Sequence, residues 1–298
     1  MIARPGPLIA CVMFALVLTL VPATSQAQEK DLVFFVVVKS SNYAQARDGS
    51  LSLLNYHFFS EIFLKDGGRV TSATIKRKDA VGEPLKYVDR GDSFYVEGGH
   101  FDSLKEVDIA YPNGKYVFNI DTPSGAIQDL ALDLTGPGGS SEIPAPITIT
   151  LHQDGKQIDP LRIDPSKDLV VRWGDYDVGN ADPNGIIDDL IFFVVATCHG
   201  KRIVHSGLPF EGPYLTYRAT EYRVPAGTLR PGEPHSMFVE FPNQVDTVVV
   251  DGVPGFATYA TASYLDTQTL GKASGPACPA KPPPMDTGQT DRGNSPRK

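Results

Sequence analysis

Apolar residues in this chain come in short runs rich in Val, Ile, Phe, Tyr and Thr, closed off by Gly, Pro, Asn and Asp. That is the pattern of strands and turns. Residues 32–38 are apolar throughout, and runs at 56–64 and 70–76 lie either side of Asp66-Gly67-Gly68, a turn signal. The same pattern predicts strands at 94–96, 105–110, 115–121 and 128–134, then at 147–151, 168–173, 190–198, 202–206, 237–241, 247–250 and 256–265. Residues 190–196 are apolar at every position, as a central strand covered on both faces should be. His199-Gly200 reads as the turn joining that strand to the next, with Gly supplying the positive φ. No 3.6-residue period is sustained, so no helix of three turns is predicted and the fold class is all-β.

Punctuation divides the chain. Thr135-Gly136-Pro137-Gly138-Gly139-Ser140-Ser141, followed by Ile143-Pro144-Ala145-Pro146, reads as a linker, flexible first and then stiff. It predicts a boundary near residue 142 and two β-sandwich domains, 28–142 and 143–270. From 271 to 298 the chain is Pro-rich, basic and polar, with Pro282-Pro283-Pro284 inside, too poor in apolar surface to offset its ordering entropy. A disordered tail is expected there. At the other end, Arg4, an apolar run over 8–21, Pro22 and the small residues Ser25 and Ala27 compose a signal peptide, 1–27, cleaved before Gln28. The apolar run is about 14 residues, roughly 21 Å as a helix, too short for a ~30 Å bilayer core. An uncleaved anchor is the alternative. Leu8-Ile9-Ala10-Cys11 has the look of a lipobox but stands ahead of most of the apolar run. No other segment approaches the ~18 apolar residues of a spanning helix, so the mature chain is expected without a transmembrane span, secreted or periplasmic.

Charge sharpens this picture. The chain has 27 Lys+Arg against 35 Asp+Glu, net −8; Arg4 is the one charged residue of 1–27, so its removal leaves −9. The tail from Lys272 holds five basic and two acidic residues, which leaves 28–271 at −12. An acidic body excludes the basic patch of a nucleic-acid binder and suits solubility and cation binding. About 270 mature residues can bury a core without many disulfides. Cys198 and Cys278 are the two cysteines left after processing, and in an oxidising compartment they permit one bridge.

The second half resembles a fibronectin type III sandwich over roughly 143–270. Pro144 and Pro146 precede its first strand, a lone Trp173 sits in the second, and Leu229-Arg230-Pro231-Gly232-Glu233-Pro234-His235 is similar to the Leu-x-Pro-Gly-x-x-Tyr turn before the sixth. In that family the Tyr hydroxyl bonds back to the corner; here His235 stands in its place. Asn113-Gly114-Lys115-Tyr116-Val117-Phe118 in the first half resembles the Gly-x-Tyr-x-Cys corner of an immunoglobulin-type sandwich, with Phe118 where the cysteine would be. Both resemblances concern fold. The type III resemblance places the third and seventh strands either side of the sixth, running the same way. It thus puts Cys198 and the root of the tail, with Cys278, at one end of the domain.

The chain's candidate chemistry centres on one acidic loop, 175–189. Asn180, Asp182 and Asn184 fall at positions 1, 3 and 5 of an EF-hand-like loop, with Gly185 at the turn, the Ile186 carbonyl next and Asp188 at position 9. Ile191 stands where a bidentate Glu belongs, so Asp189, Asp175 or Asp177 would have to complete a calcium site. Turn-rich loops use the same residues, and a plain loop is the alternative. No residue is assigned a catalytic role. The six histidines lack zinc-protease spacing, and there is no nucleophile elbow, phosphate loop or dinucleotide fingerprint. Adjacent Cys198 and His199 point to opposite faces of a strand and make no dyad. His57 and His152 are placed on strand faces. Tyr214, Tyr217, Tyr222, Tyr259 and Tyr264 are candidates for a sugar platform, against a plainer role as strand formers. The function expected is a non-catalytic binding, adhesion or scaffolding protein of the cell envelope, taking a protein or glycan partner. The alternatives are a hydrolase with a site at the domain junction and a carbohydrate-binding accessory module.

Overall fold

The computed structural model describes residues 31–279, apart from 137 and 139–141. The proposed signal peptide, most of the Gly/Ser linker and most of the tail lie outside the described residues. In chain order the elements are β1 (Leu32–Gln45), β2 (Leu51–Leu64), β3 (Ser72–Arg77), β4 (Leu85–Lys86), β5 (Val88–Asp89), β6 (Ser93–Phe101), α1 (Leu104–Ala110), β7 (Gly114–Thr122), β8 (Gly125–Leu134), β9 (Ile149–Gln153), β10 (Lys156–Ile158), β11 (Leu169–Trp173), β12 (Leu190–Thr197), β13 (Arg202–His205), β14 (Leu215–Thr216), β15 (Glu221–Val224), β16 (Pro234–Val250) and β17 (Val253–Gln268). Among the described residues the fold is all-β but for one short helix. Among the described residues no helix is long and apolar enough to cross a membrane.

Three sheets form. A nine-stranded sheet runs β13-β12-β16-β17-β1-β2-β6-β5, with β14 on β12; four-stranded sheets run β10-β9-β11-β15 and β4-β3-β7-β8. Both small sheets pack on one face of the wide sheet, toward opposite ends. Ile75, Phe118, Ile120 and Leu132 meet Phe35, Val37, Phe58 and Ile62 in one core. Ile149, Leu151, Val171 and Trp173 meet Phe193, Val195, Met237 and Val239 in the other. The face is polar between the two cores, and there the chain crosses from one half to the other: the Pro144 carbonyl accepts from Thr261 Oγ1, and Ile147 N–H donates to Ser263 Oγ at 3.1 Å.

Residues 28–142 and 143–270 do not therefore make separate sandwiches. Each builds its own small sheet, but the wide sheet runs across the expected boundary. The join is a parallel pairing of β1 with β17, in register from Phe35↔Gly255 to Gln45↔Leu265. Within the second half, β12 and β17 flank β16 as the type III resemblance implies. Two predicted strands, 237–241 and 247–250, are one strand, β16, which passes through a register shift between Gln244 and Asp246.

The opposite face of the wide sheet is also apolar, from Tyr95 and Phe59 through Phe34, Val36 and Phe256 to Phe238, Phe192 and Val194. The loop after β13 reaches back across it: the Phe210 ring lies 6.2 Å from Phe34 and 6.0 Å from Phe256. Leu208, Tyr214 and Ile187 pack on the same cluster. Burial on both faces explains the unbroken apolar runs of β1 and β12.

Residues 105–110, predicted as a strand, form α1. The reason is a capping box: Ser103 Oγ accepts from Glu106 N, and the Glu106 carboxylate accepts from Ser103 N. That reciprocal bond fixes the first turn of a helix. The immunoglobulin-type corner forms, with Tyr116 Oη donating to the Pro112 carbonyl at 2.9 Å. The type III corner is built differently. His235 is buried with neither ring nitrogen hydrogen-bonded, and Thr269 Oγ1 instead donates to the Arg230 carbonyl at 2.6 Å and accepts from Glu233 N at 3.0 Å.

Candidate functional site

The acidic loop folds onto the wide sheet as a strap. Asp182 Oδ1 accepts from Asn184 N at 2.9 Å, and its Oδ2 from Ile186 N at 2.8 Å and Ile187 N at 3.1 Å; the Thr247 hydroxyl reaches both oxygens at 3.0 Å. Burial disfavours the Asp182 charge, but these donors outweigh it and hold its pKa below the usual value. Asp188 takes Asp182 N on Oδ1 and Arg218 on Oδ2, at 3.1 and 3.0 Å. Asp189 accepts from Asn180 N at 2.8 Å and from Gln244 N at 2.6 Å, at the register shift of β16. Its burial pushes its pKa up to about 6. Asn180 Nδ2 donates to the Val178 carbonyl, and Asn184 Nδ2 to Thr247. The six residues read as a calcium set are thus bonded largely to one another, through the N–H groups of Asn180, Asp182, Asn184 and Ile186, and are tied to β16 through Thr247 and Gln244.

Cys198, at the end of β12, is bonded to Cys278 with a Cα–Cα distance of 5.6 Å, closing a loop of sequence separation 80. The bridge pins the root of the tail to the wide sheet. The tyrosines divide. Tyr259 and Tyr264 face opposite sides of β17 and are buried, at 0% and 3% exposure, so neither serves a sugar platform. Tyr214, Tyr217 and Tyr222 are half-buried. Trp173 lies in the core with its Nε1–H on the Ala219 carbonyl at 2.9 Å.

A cavity of about 490 Å³ opens where the β1–β2 turn meets β9 and β10. Gln45, Arg47, Asp48, Thr150, Gln157 and Asp159 are among the residues that line it. Arg47 and Asp159 neutralise one another as an ion pair, and burial is not what lowers the Asp159 pKa: the N–H of Leu161 leads, with Arg47 adding to it.

A third cluster escaped the sequence pattern. His57 on β2 lies opposite His100 on β6. Their rings stack at 4.1 Å between centroids and 14° between planes, with Phe59 5.0 Å beyond His57. Glu97 joins them, its Oε1 2.7 Å from His57 Nε2 and 4.0 Å from His100 Nε2. Glu97 and His100 are three apart, which on a regular strand would put them on opposite faces. A bulge between Phe58 and Phe59 brings both to the His57 face. Its two glycines are required. Gly99 has φ +106°, and a Cβ on Gly98 would lie 2.6 Å from the Phe58 carbonyl oxygen. The legible signal was Glu97-Gly-Gly-His100 opposite a strand histidine. Burial, and His57 next to it, hold His100 down to a pKa of about 4 against the pull of Glu97.

No family model matches the sequence, and no curated protein matches it. Among solved structures, the BSP domain of a biofilm-associated protein aligns at 12% identity and TM-score 0.20, covering 80% of this chain and 30% of that one. The FN1–FN3 domains of chicken CNTN1 align at 10% identity and TM-score 0.23, covering 82% and 70%. The IG1+IG2 domains of DIP-gamma align at 10% identity and TM-score 0.20, covering 82% and 98%. At these scores the alignments carry no argument.

Proposed function

We propose that this chain is an exported, non-catalytic binding or scaffolding protein of the cell envelope, with a protein or glycan as partner. The observation that carries the reading is the Cys198–Cys278 bridge, since such a bond persists in secreted and periplasmic proteins and is rare in a reducing cytoplasm. It fits the signal peptide read at 1–27. The recognition surface proposed is the cavity between β1 and β9–β10. Its volume, about 490 Å³, falls in the range of ligand pockets, roughly 300–1,000 Å³. Its lining of amide, hydroxyl, the paired Arg47 and Asp159 and the carboxylate of Asp48 suits a polar segment without negative charge, such as a glycan or an extended peptide backbone.

The test is co-sedimentation of the mature, oxidised chain with isolated envelope, with Thr150→Ala and Gln157→Ala as probes of the cavity. Gln157 is exposed and Thr150 half-buried, so neither change disturbs the core. The reading expects saturable binding that both substitutions weaken. Binding unchanged by either would move the partner to another surface, and a chain retained in the cytoplasm with its first 27 residues intact would overturn the reading.

A further inference from the structure

We propose that His57, Glu97 and His100 form a binding site for a first-row divalent transition metal ion of the zinc class. This goes beyond the envelope-binding reading and does not depend on it.

The argument begins with polar atoms left over. His57 Nδ1, Glu97 Oε2, His100 Nε2 and Ser40 Oγ are all buried with no hydrogen-bond partner. Ser40 is the register partner of His57 on β1, so the four belong to one patch. A buried polar group left unpaired is costly, and native proteins seldom collect several in one place without a use for them.

The hydrogen bonds that do form fix the tautomers. Asn55 Oδ1 accepts from Asn42 Nδ2 at 2.8 Å, so it is an acceptor for His100 Nδ1 as well, at 3.1 Å. His100 therefore carries its proton on Nδ1, and the bare Nε2 lone pair faces the Glu97 carboxylate. Glu97 Oε1 is engaged by His57 Nε2 and by Gly99 N–H, at 2.7 and 2.9 Å, whereas Glu97 Oε2 and the His100 Nε2 lone pair are buried in the same cluster with no donor and no cation. A metal-ligating histidine with its other N–H on a fixed acceptor is the usual outer arrangement of such sites. Asn42 and Asn55 supply it here. Phe59 under His57 adds a low-dielectric wall.

Geometry and donor chemistry agree. The donor atoms of the three residues lie within 4.8 Å of one another. A tetrahedral ion with bonds of ~2.0–2.1 Å needs donors about 3.4 Å apart. Glu97 would close that gap with Oε2, the oxygen without a donor, while Oε1 keeps the Gly99 N–H and gives up His57 Nε2, and the stacked rings would tilt toward the ion. The proton on His57 Nε2 moves to Nδ1, so the ring stays neutral. The side chains of His57 and His100 are 0% and 6% exposed, and that of Glu97 28%, so the carboxylate is the way in from solvent. Two imidazoles and one carboxylate suit zinc, cobalt or nickel rather than the all-oxygen preference of calcium. The Gly98-Gly99 bulge is the device that aims Glu97 and His100 together.

The test uses the untagged mature protein, stripped with a chelator and titrated with Co²⁺ in the visible and with Zn²⁺ by calorimetry. One ion per chain is expected, with Zn²⁺ displacing Co²⁺ and excess Ca²⁺ leaving it in place. Glu97→Gln and His100→Gln should each weaken uptake at least about tenfold. His100→Gln keeps an amide donor for Asn55, so melting curves close to wild type will certify both variants as folded. No stoichiometric uptake by the wild-type chain overturns the site. Uptake unchanged in both folded variants overturns it equally, by placing the ion elsewhere.

Discussion

Gln45 holds both backbone groups of Ile149: its Nε2 donates to the Ile149 carbonyl at 2.7 Å, and Ile149 N–H donates to its Oε1 at 2.7 Å. One side-chain amide thus acts as a strand neighbour for β9, tying the last residue of β1 to the first of the small sheet in the other half. Gln45→Leu leaves a buried N–H and a buried carbonyl unpaired, and should cost roughly 2–4 kcal/mol. Urea unfolding measures the loss. The shared sheet predicts a single transition for wild type and variant alike, with unchanged slope.

The disulfide carries a second expectation. Cys198→Ser with Cys278→Ser frees the root of the tail from β12 and should destabilise the chain by about 2–5 kcal/mol. Intact mass of the non-reduced exported protein should fall two hydrogens short of the thiol form. The double variant should show no shift on reduction.

Two buried carboxylates predict the pH dependence. Glu61 and Glu240, 1% and 4% exposed, lie on the same face of the wide sheet, and burial pushes both up to about 8, with the charges of Asp92 and Glu240 adding to the effect on Glu61. A carboxyl kept protonated in the fold binds a proton that the unfolded chain has lost above its ordinary pKa. Its stabilising contribution is full below that ordinary value and disappears as pH rises through about 8. Stability attributable to each should fall by up to about 1.4 kcal/mol per pH unit across that window. Denaturant titrations of wild type, Glu61→Gln and Glu240→Gln isolate the effect, because each variant should lose its share of the slope.

The strap over the apolar face rests on Asp182. Asp182→Ala removes the acceptor for three backbone N–H groups and the Thr247 hydroxyl, and should cost about 2–4 kcal/mol, with faster hydrogen exchange at 184–187. These oxygens are already occupied by donors. Calcium at about 10 mM, above the ~10⁻⁴–10⁻³ M range of extracellular modules, should then leave the melting temperature unchanged.

Much of this was legible in local pattern. The unbroken apolar run at 190–196 marked a strand covered on both faces, and Tyr116 and Trp173 marked a corner and a core. The short helix was written in Ser103 and Glu106 but lay inside a run that also reads as a strand. The joining of the halves was not legible, because the pairing of Phe35 with Gly255 leaves no local mark; a Gly/Pro-rich stretch near 142 reads the same whether it links domains or crosses a sheet. The histidine cluster was hidden for a related reason. A strict alternation puts Glu97 and His100 on opposite faces, and only the bulge at Gly98-Gly99 reverses that. The acidic loop showed the converse. Its residue types suit calcium or turns alike, and its hydrogen bonds to Gln244 and Thr247 of β16 leave no mark in the sequence.

The claim that this is an exported binding protein is tested most directly by one co-sedimentation experiment. Mature, oxidised protein is incubated with isolated envelope, and both bound protein and released fragments are measured. Saturable binding with no fragments released is the result expected. Release of peptide or sugar fragments in proportion to time and protein concentration would contradict it, and would make the chain an enzyme.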